Sequence, residues 1–440
     1  MKNSSRRLLF LAYPFPPSTA IGAVRSWSIA KHLARLGWDV TVVTPAAGDA
    51  IDRVAMVAAE KGCTQEGIKR FFAGTLHWRP CSRPTEQLAE WFRYLPFFLL
   101  TRLLRPIGIG LDETWVIQCI RKCSQFIPGD FDVVLATGSP FTTFIGAKIV
   151  ARRLGISYVL DYRDPWVLSA LKRNQFVSLI GPLERYLIRH AAETIMVSFS
   201  QARNQCEAFG MTKPPVVITN GYDPDVLDGV VAKISEEFAV VYAGTFYQGQ
   251  REIDPVLKAV KIASEMQGRE SNPIRLHYYG SDVNHVMERA KAYDAEHVVS
   301  CHGQVPRAQA LAAIKGSGVA VVITCVSDKA DLAARGIITG KIFEPLGMGV
   351  PILLVAPEGS DATAIVEETA VGRSFRSSQV DSMAHWLVEL ARKQVTVRND
   401  SLKAFSWPVL TGQLDAILCK AITEAKIERN LKNFSFLGKK

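Results

Sequence analysis

At 440 residues the chain exceeds what one hydrophobic core usually organises, and a prior of roughly 150 residues per domain gives two or three. Hydrophobic residues at 48% and charged residues at 21% exclude a disordered or fibrous chain. A formal charge of +10 favours polyanionic partners such as nucleic acid, an anionic membrane or a phosphorylated ligand, without choosing among them.

Taken in chain order, "LLFLA" at 8–12 predicts a strand. "SWSIAKHLARLG" at 26–37 predicts a helix that carries Ile29, Ala30, Leu33 and Leu36 at helical spacing and stops at Gly37. "DVTVVTP" at 39–45 closes a β-α-β unit, the building block of parallel sheets. Further strands are expected at 131–138, 157–162, 194–198 and 215–221. A second series follows at 238–244, 274–280, 297–303, 318–324 and 350–355, with helices between. Two such series predict two doubly wound, Rossmann-like α/β domains, residues 1–225 and 236–405, joined by the polar stretch "YDPDVLDGVVAKISEE". Residues 406–440 are expected to form a helix packing back on the first domain. In such sheets ligands bind beyond the carboxyl ends of the strands.

The eight cysteines lack disulfide or zinc spacing and fit a reducing cytoplasm. Cys119 and Cys123, four apart, read either as a ligand pair or as reduced core thiols. The N-terminal apolar run is too short for a signal peptide, and no window reaches the roughly 18–20 apolar residues of a membrane span. The segment 88–110, "LAEWFRYLPFFLLTRLLRPIGIG", has no acidic residue after Glu90. It fits either a core helix pair or a surface that inserts Trp91, Phe92, Phe97, Phe98 and Leu100 among headgroups while Arg93, Arg102 and Arg105 meet anionic lipid.

Several strand ends carry chemistry. "YPFPPSTAIGAVR" at 13–25 bends at Gly22, where backbone can approach a ligand, but holds neither a dinucleotide fingerprint nor a P-loop. "DYRDPW" at 161–166 places donors and acceptors together. Asp161 with an arginine reads as structural or functional, while Arg163 and Asp164 suit a hydroxyl-rich ligand. "YAGTFYQGQR" ends a strand in Gly244 and delivers Arg251 just before a helix near Asp254, a plausible diphosphate cradle. In "GKIFEPLGMGVPILLV", Gly340 and Lys341 favour a phosphate, and Glu344 offers a carboxylate to the vicinal hydroxyls of a ribose. Pro345 requires that the helix begin no earlier than about Phe343 or that its first turn be irregular. The D-x-D patterns at 130–132 and 223–225 introduce a strand and an interdomain joint, so neither reads as a metal site.

Together, "YPFPPSTAIGAVRSWSIAKHLARLGWDVTVVTP", "YVLDYRDPW", "VVITNGYD", "YAGTFYQGQR" and "GKIFEPLGMGVPILLV" resemble the GT-B glycosyltransferases of the family-four type, closest to the branch of bacterial surface-polysaccharide and lipopolysaccharide assembly. The resemblance implies two domains facing a cleft and a retaining, metal-independent transferase without cofactor. It would act on a nucleotide-diphosphate sugar and a lipid-linked or glycan acceptor, cytoplasmic and peripheral at the inner membrane face, without nucleic acid. It further implies that Arg251 and Lys341 hold the diphosphate and that Glu344 holds the ribose. Gly22, Gly244, Thr245, Gly340, Ile342 and Leu346 would line the nucleotide sugar, and Arg163 and Asp164 the acceptor side. Trp91, Phe97, Phe98, Arg102 and Arg105 would meet the acceptor or the membrane. Two positions depart from the pattern: Gly336 stands where many members carry a first glutamate, and Thr245 where many carry an arginine. A nucleotide-sugar epimerase, another enzyme of the same build, or a non-catalytic binding protein remain the alternatives.

Overall fold

The computed structural model describes residues 6–18, 21–45, 53–73, 114–169, 177–246, 251–267, 272–327, 331–393, 397 and 400–437. The segment 88–110, with Trp91, Phe97, Phe98, Arg102 and Arg105, lies outside them. The chain divides into two units. The first comprises 1–197, 202–218 and 411–440; the second comprises 198–201 and 219–410.

The first unit is built on seven parallel strands: β1 (Arg7–Ala12), β2 (Asp39–Pro45), β3 (Lys69–Ala73), β4 (Val133–Gly138), β5 (Ser157–Tyr162), β6 (Glu193–Met196) and β7 (Val216–Val217). Their order is β3-β2-β1-β4-β5-β6-β7, so the winding reverses between β1 and β4. Strands β1 and β4 are buried almost throughout, which is why they read as unbroken apolar runs rather than alternating ones. Leu9, Leu11, Val134, Ala136 and Leu160 pack on one face with Trp115 and Phe144. Cys119 and Cys123 are fully buried in that same cluster on the helix Trp115–Cys123, which resolves the two readings of this pair in favour of core thiols.

The first helix spans Ile21–Arg35 and starts earlier than the periodicity predicts, so Gly22 lies in its first turn and not in the preceding loop. Gly37, with φ of +86°, turns the chain so that the Trp38 amide donates to the Leu33 carbonyl at 3.1 Å. From the C-terminal segment, Asp415 accepts a 2.7 Å hydrogen bond from the Trp38 indole and pairs with Arg6 at 2.8 Å, which ties residues 411–440 to this unit.

The second unit carries six parallel strands, β8 (Phe238–Ala243), β9 (Ile274–Tyr279), β10 (Val299–Cys301), β11 (Val319–Ile323), β12 (Ile352–Val355) and β13 (Gly372–Phe375), ordered β10-β9-β8-β11-β12-β13. Alternate residues bury against opposite faces. Val240, Leu276, Val321 and Leu353 meet the helices Asp254–Gln267 and Val380–Lys393, while Val322, Ile352 and Leu354 meet Phe343 and Leu346. Here the reversal falls between β8 and β11. The loop after β8 therefore opens at the topological switch point, where ligands collect in folds of this kind. Among the described residues no helix is long and apolar enough to cross a membrane.

Candidate functional site

The loop after β8 is held by its neighbours rather than by its own sequence. The Tyr278 hydroxyl at the end of β9 donates to the Gly244 carbonyl at 2.9 Å and accepts from the Asp282 amide at 3.0 Å. Asp282 in turn accepts from the Phe246 amide at 3.1 Å, and the Tyr242 hydroxyl donates to the Thr245 carbonyl at 3.2 Å. Gly244, Thr245 and Phe246 are thus each pinned, with the Thr245 side chain exposed. Reading the strands alone missed Tyr278 and Asp282. The signal was present in the matching strand ends "YAG" and "YYG", each a tyrosine two residues before a glycine.

Gly244 has no side chain because Lys341 occupies that space: a Cβ there would stand 1.7 Å from the Lys341 ammonium nitrogen. The ammonium also lies 5.5 Å from the centre of the Tyr242 ring. Burial, and after it nearby Arg251, bring the Lys341 pKa down to about 8 against the opposing pull of Glu344 and Asp282. Lys341 sits in the short 3-10 turn Gly340–Ile342, capped by Thr339, and the α-helix begins at Phe343 as Pro345 requires. Two cations are thereby brought together at a strand mouth, an arrangement that an anionic ligand would stabilise.

Glu344 stands in the first helical turn and is already engaged. Arg307, at the start of the helix Arg307–Lys315, donates to its Oε1 from Nη2 at 2.5 Å and from Nε at 3.2 Å. Arg307 is a further residue that the spacing did not reveal. Ile342 and Leu346 are fully buried against Ile352 and Leu354, so their side chains serve the core and only their backbone is left to meet a ligand.

Gly336 explains its own departure from the family pattern. A Cβ at this position would meet Gln201 Cγ at 2.7 Å, Ser198 Oγ at 2.9 Å and the Gln201 amide nitrogen at 3.1 Å. Restoring the glutamate with Gly336→Glu is therefore expected to destabilise the protein by about 1–3 kcal/mol and to leave donor affinity no better, as read by thermal unfolding and donor KM.

In the first unit, Gly22 serves Arg163 as Gly244 serves Lys341: a Cβ there would overlap the Arg163 guanidinium at 1.4 Å. Arg163 Nε lies 3.5 Å from Asp164, whose side chain is 55% exposed and so available to a ligand. Asp161 is structural. It is buried with Arg25, paired at 2.6 Å, and also accepts from Thr137 at 2.9 Å. The D-x-D acids have structural partners as well: Asp132 pairs with Arg7 at 3.0 Å, and Asp223 caps the helix Pro224–Asp228.

Comparison with known proteins decides the class. Residues 22–221 match the family model described as "Glycosyl transferase 4-like domain". This stretch is a glycosyltransferase domain of the 4-like type. Solved structures agree with the chain's GT-B fold. Sucrose-phosphate synthase from Thermosynechococcus elongatus is 14% identical with a TM-score of 0.59, covering 95% of this chain and 100% of its own. HepE from Anabaena, in complex with UDP and glucose, is 15% identical with a TM-score of 0.58, covering 94% and 99%. TarM is 9% identical with a TM-score of 0.56, covering 98% of each chain. At these identities the likeness speaks for the fold alone, and the family match for residues 22–221. No curated protein matches the chain's sequence.

Proposed function

We propose that this glycosyltransferase transfers a sugar from a nucleotide-diphosphate donor to a lipid-linked or polysaccharide acceptor, with retention and without a metal ion or cofactor. Its place is bacterial surface glycan assembly, in the cytoplasm and peripheral to the inner membrane face. The observation that carries the reading is the desolvated Lys341 ammonium seated on Gly244 beside Arg251. Transfer leaves negative charge on the departing diphosphate, and two preplaced cations stabilise that charge without a metal. Glu344 would receive the ribose hydroxyls on Oε2, with Oε1 held by Arg307. Gly340, Thr245 and Gly22 flank the nucleotide sugar, and Arg163 and Asp164 serve the acceptor side. The net charge of +10 and the segment 88–110, with Trp91, Phe97, Phe98, Arg102 and Arg105, suit a membrane-borne acceptor rather than nucleic acid.

A panel of nucleotide sugars, UDP-glucose among them, identifies the donor by thermal stabilisation, since a ligand of the folded state raises the melting point. With that donor, Glu344→Ala is expected to raise donor KM by about 10–100-fold, the loss of roughly 1.5–3 kcal/mol of charge-assisted hydrogen bonding. Unchanged nucleoside-diphosphate release in both Glu344→Ala and an Arg251→Ala variant would overturn the site.

A further inference from the structure

Beneath the Arg163–Asp164 loop lies a buried carboxyl that none of the chemistry above uses. Glu184, on the helix Val177–Arg189, is 1% exposed. Its Oε2 accepts from the Val167 amide at 3.2 Å, and its Oε1 accepts from the Gln205 side-chain amide at 2.9 Å. The fully buried Tyr162 hydroxyl lies near it and makes no hydrogen bond among the described residues. Val167 follows Arg163 and Asp164, so the far end of that loop rests on this acid.

The rest of the loop's seat is aromatic. Trp166 stacks on Phe141 with ring centres 5.3 Å apart, and Tyr162 packs on Phe144 at 4.6 Å. Rings fix the plane of a loop but tolerate sliding, whereas hydrogen bonds to a carboxylate fix its register. Among the described residues the groups acting on the carboxyl are Val167, Tyr162 and Gln205, none of them a cation, and of these Tyr162 alone titrates. Arg185 and Arg189 of the same helix are exposed. Burial in this uncharged setting pushes the Glu184 pKa up to about 7. An ionised carboxylate accepts from both the Val167 and the Gln205 amides; a protonated one gives up an acceptor position and must find an acceptor of its own.

We propose that Glu184 is a positioning residue for sugar transfer, its carboxylate holding the Tyr162–Val167 loop so that Arg163 and Asp164 face the acceptor. This rests on the acceptor-side reading of those two residues. Acidification through neutrality then loosens the loop and lowers turnover while the fold persists.

Amide exchange at Val167 in the ligand-free full chain, corrected for the intrinsic effect of pH, reads the loop without any substrate. Protection is expected to be about tenfold greater at pH 8 than at pH 6, following a group that passes from mostly protonated to mostly ionised across that interval. Glu184→Gln keeps the shape, since Gln205 Oε1 has no partner and accepts from the new amide after a flip; protection should then be equal at both pH values. Gln205→Met removes one donor and is expected to move the wild-type midpoint to higher pH, a second test should the first variant fail to fold. The same midpoint should appear in nucleoside-diphosphate release from the donor that the wild type turns over, and vanish in Glu184→Gln. Identical pH dependence of Val167 protection in the wild type and Glu184→Gln overturns the positioning role. A loop that follows Glu184 while Arg163→Ala and Asp164→Ala leave turnover unchanged overturns the acceptor-side reading instead.

Discussion

Lys341→Met is expected to lower kcat/KM for the nucleotide-sugar donor by about 10²–10³-fold, the scale of removing one preorganised donor from a site of developing charge. Methionine keeps most of the side-chain volume against Gly244 and Tyr242 and removes only the ammonium. The fold should not suffer. An ammonium whose pKa has fallen from 10.5 to about 8 is held charged at neutral pH at a cost of roughly 3 kcal/mol, so its removal leaves the melting temperature equal or higher. Loss of activity with retained stability separates a binding cation from a structural one. The pH profile adds a second separation. The ammonium is nearly all present below about pH 7 and is lost as pH rises through about 8, so wild-type kcat/KM for the donor should fall across that range. A bound diphosphate restores the charge, so kcat should hold to higher pH, and the Lys341→Met profile should lack this alkaline limb. Equal alkaline limbs in the two proteins would overturn the assignment.

The parts of the fold that could be read in the sequence are those where burial leaves a one-dimensional trace. Strands β1, β4, β11 and β12 lie inside parallel sheets, and their unbroken apolar runs follow from that position. The strands that escaped notice are β3 and β13, "KRFFA" and "GRSF", both at sheet edges, short, polar and half exposed. The site divides in the same way. Gly244 and Arg251 announced themselves by following a strand, and Lys341 and Glu344 by opening a helix. Their partners did not, because the contacts join residues far apart in the chain: Gly244 with Lys341, Arg307 with Glu344, Gly22 with Arg163. Gly336 shows the limit of a motif. The absent glutamate looks like a lost function until the approach of Gln201 and Ser198 shows that a larger residue does not fit. Ile342 and Leu346, on either side of Glu344, turn their side chains into the core, which the spacing alone did not separate from the exposed positions.

Asp161→Ala is expected to destabilise the protein by about 3–5 kcal/mol, the cost of leaving a buried charge without its partner. Both side chains of the Arg25–Asp161 pair are 2% exposed, and Asp161 receives Arg25 at 2.6 and 3.0 Å as well as the Thr137 hydroxyl. Arg25 also donates to the Ile218 carbonyl at 3.2 Å, so one guanidinium ties the first helix to the end of β5 and the segment after β7. Asp161→Asn keeps the shape and one acceptor and should cost less. Urea unfolding measures both, followed by a probe in the first unit alone because the chain has two units. The decisive arrangement is the cycle. In the double variant Arg25→Met, Asp161→Leu no charge remains buried, so its loss should be well below the sum of the single losses. Additive losses would mean that each residue is held by its other neighbours and that the ion pair does not organise this strand end. A strongly non-additive result would assign to Asp161 the placement of the strand end from which Arg163 and Asp164 depart, two and three residues farther along the chain.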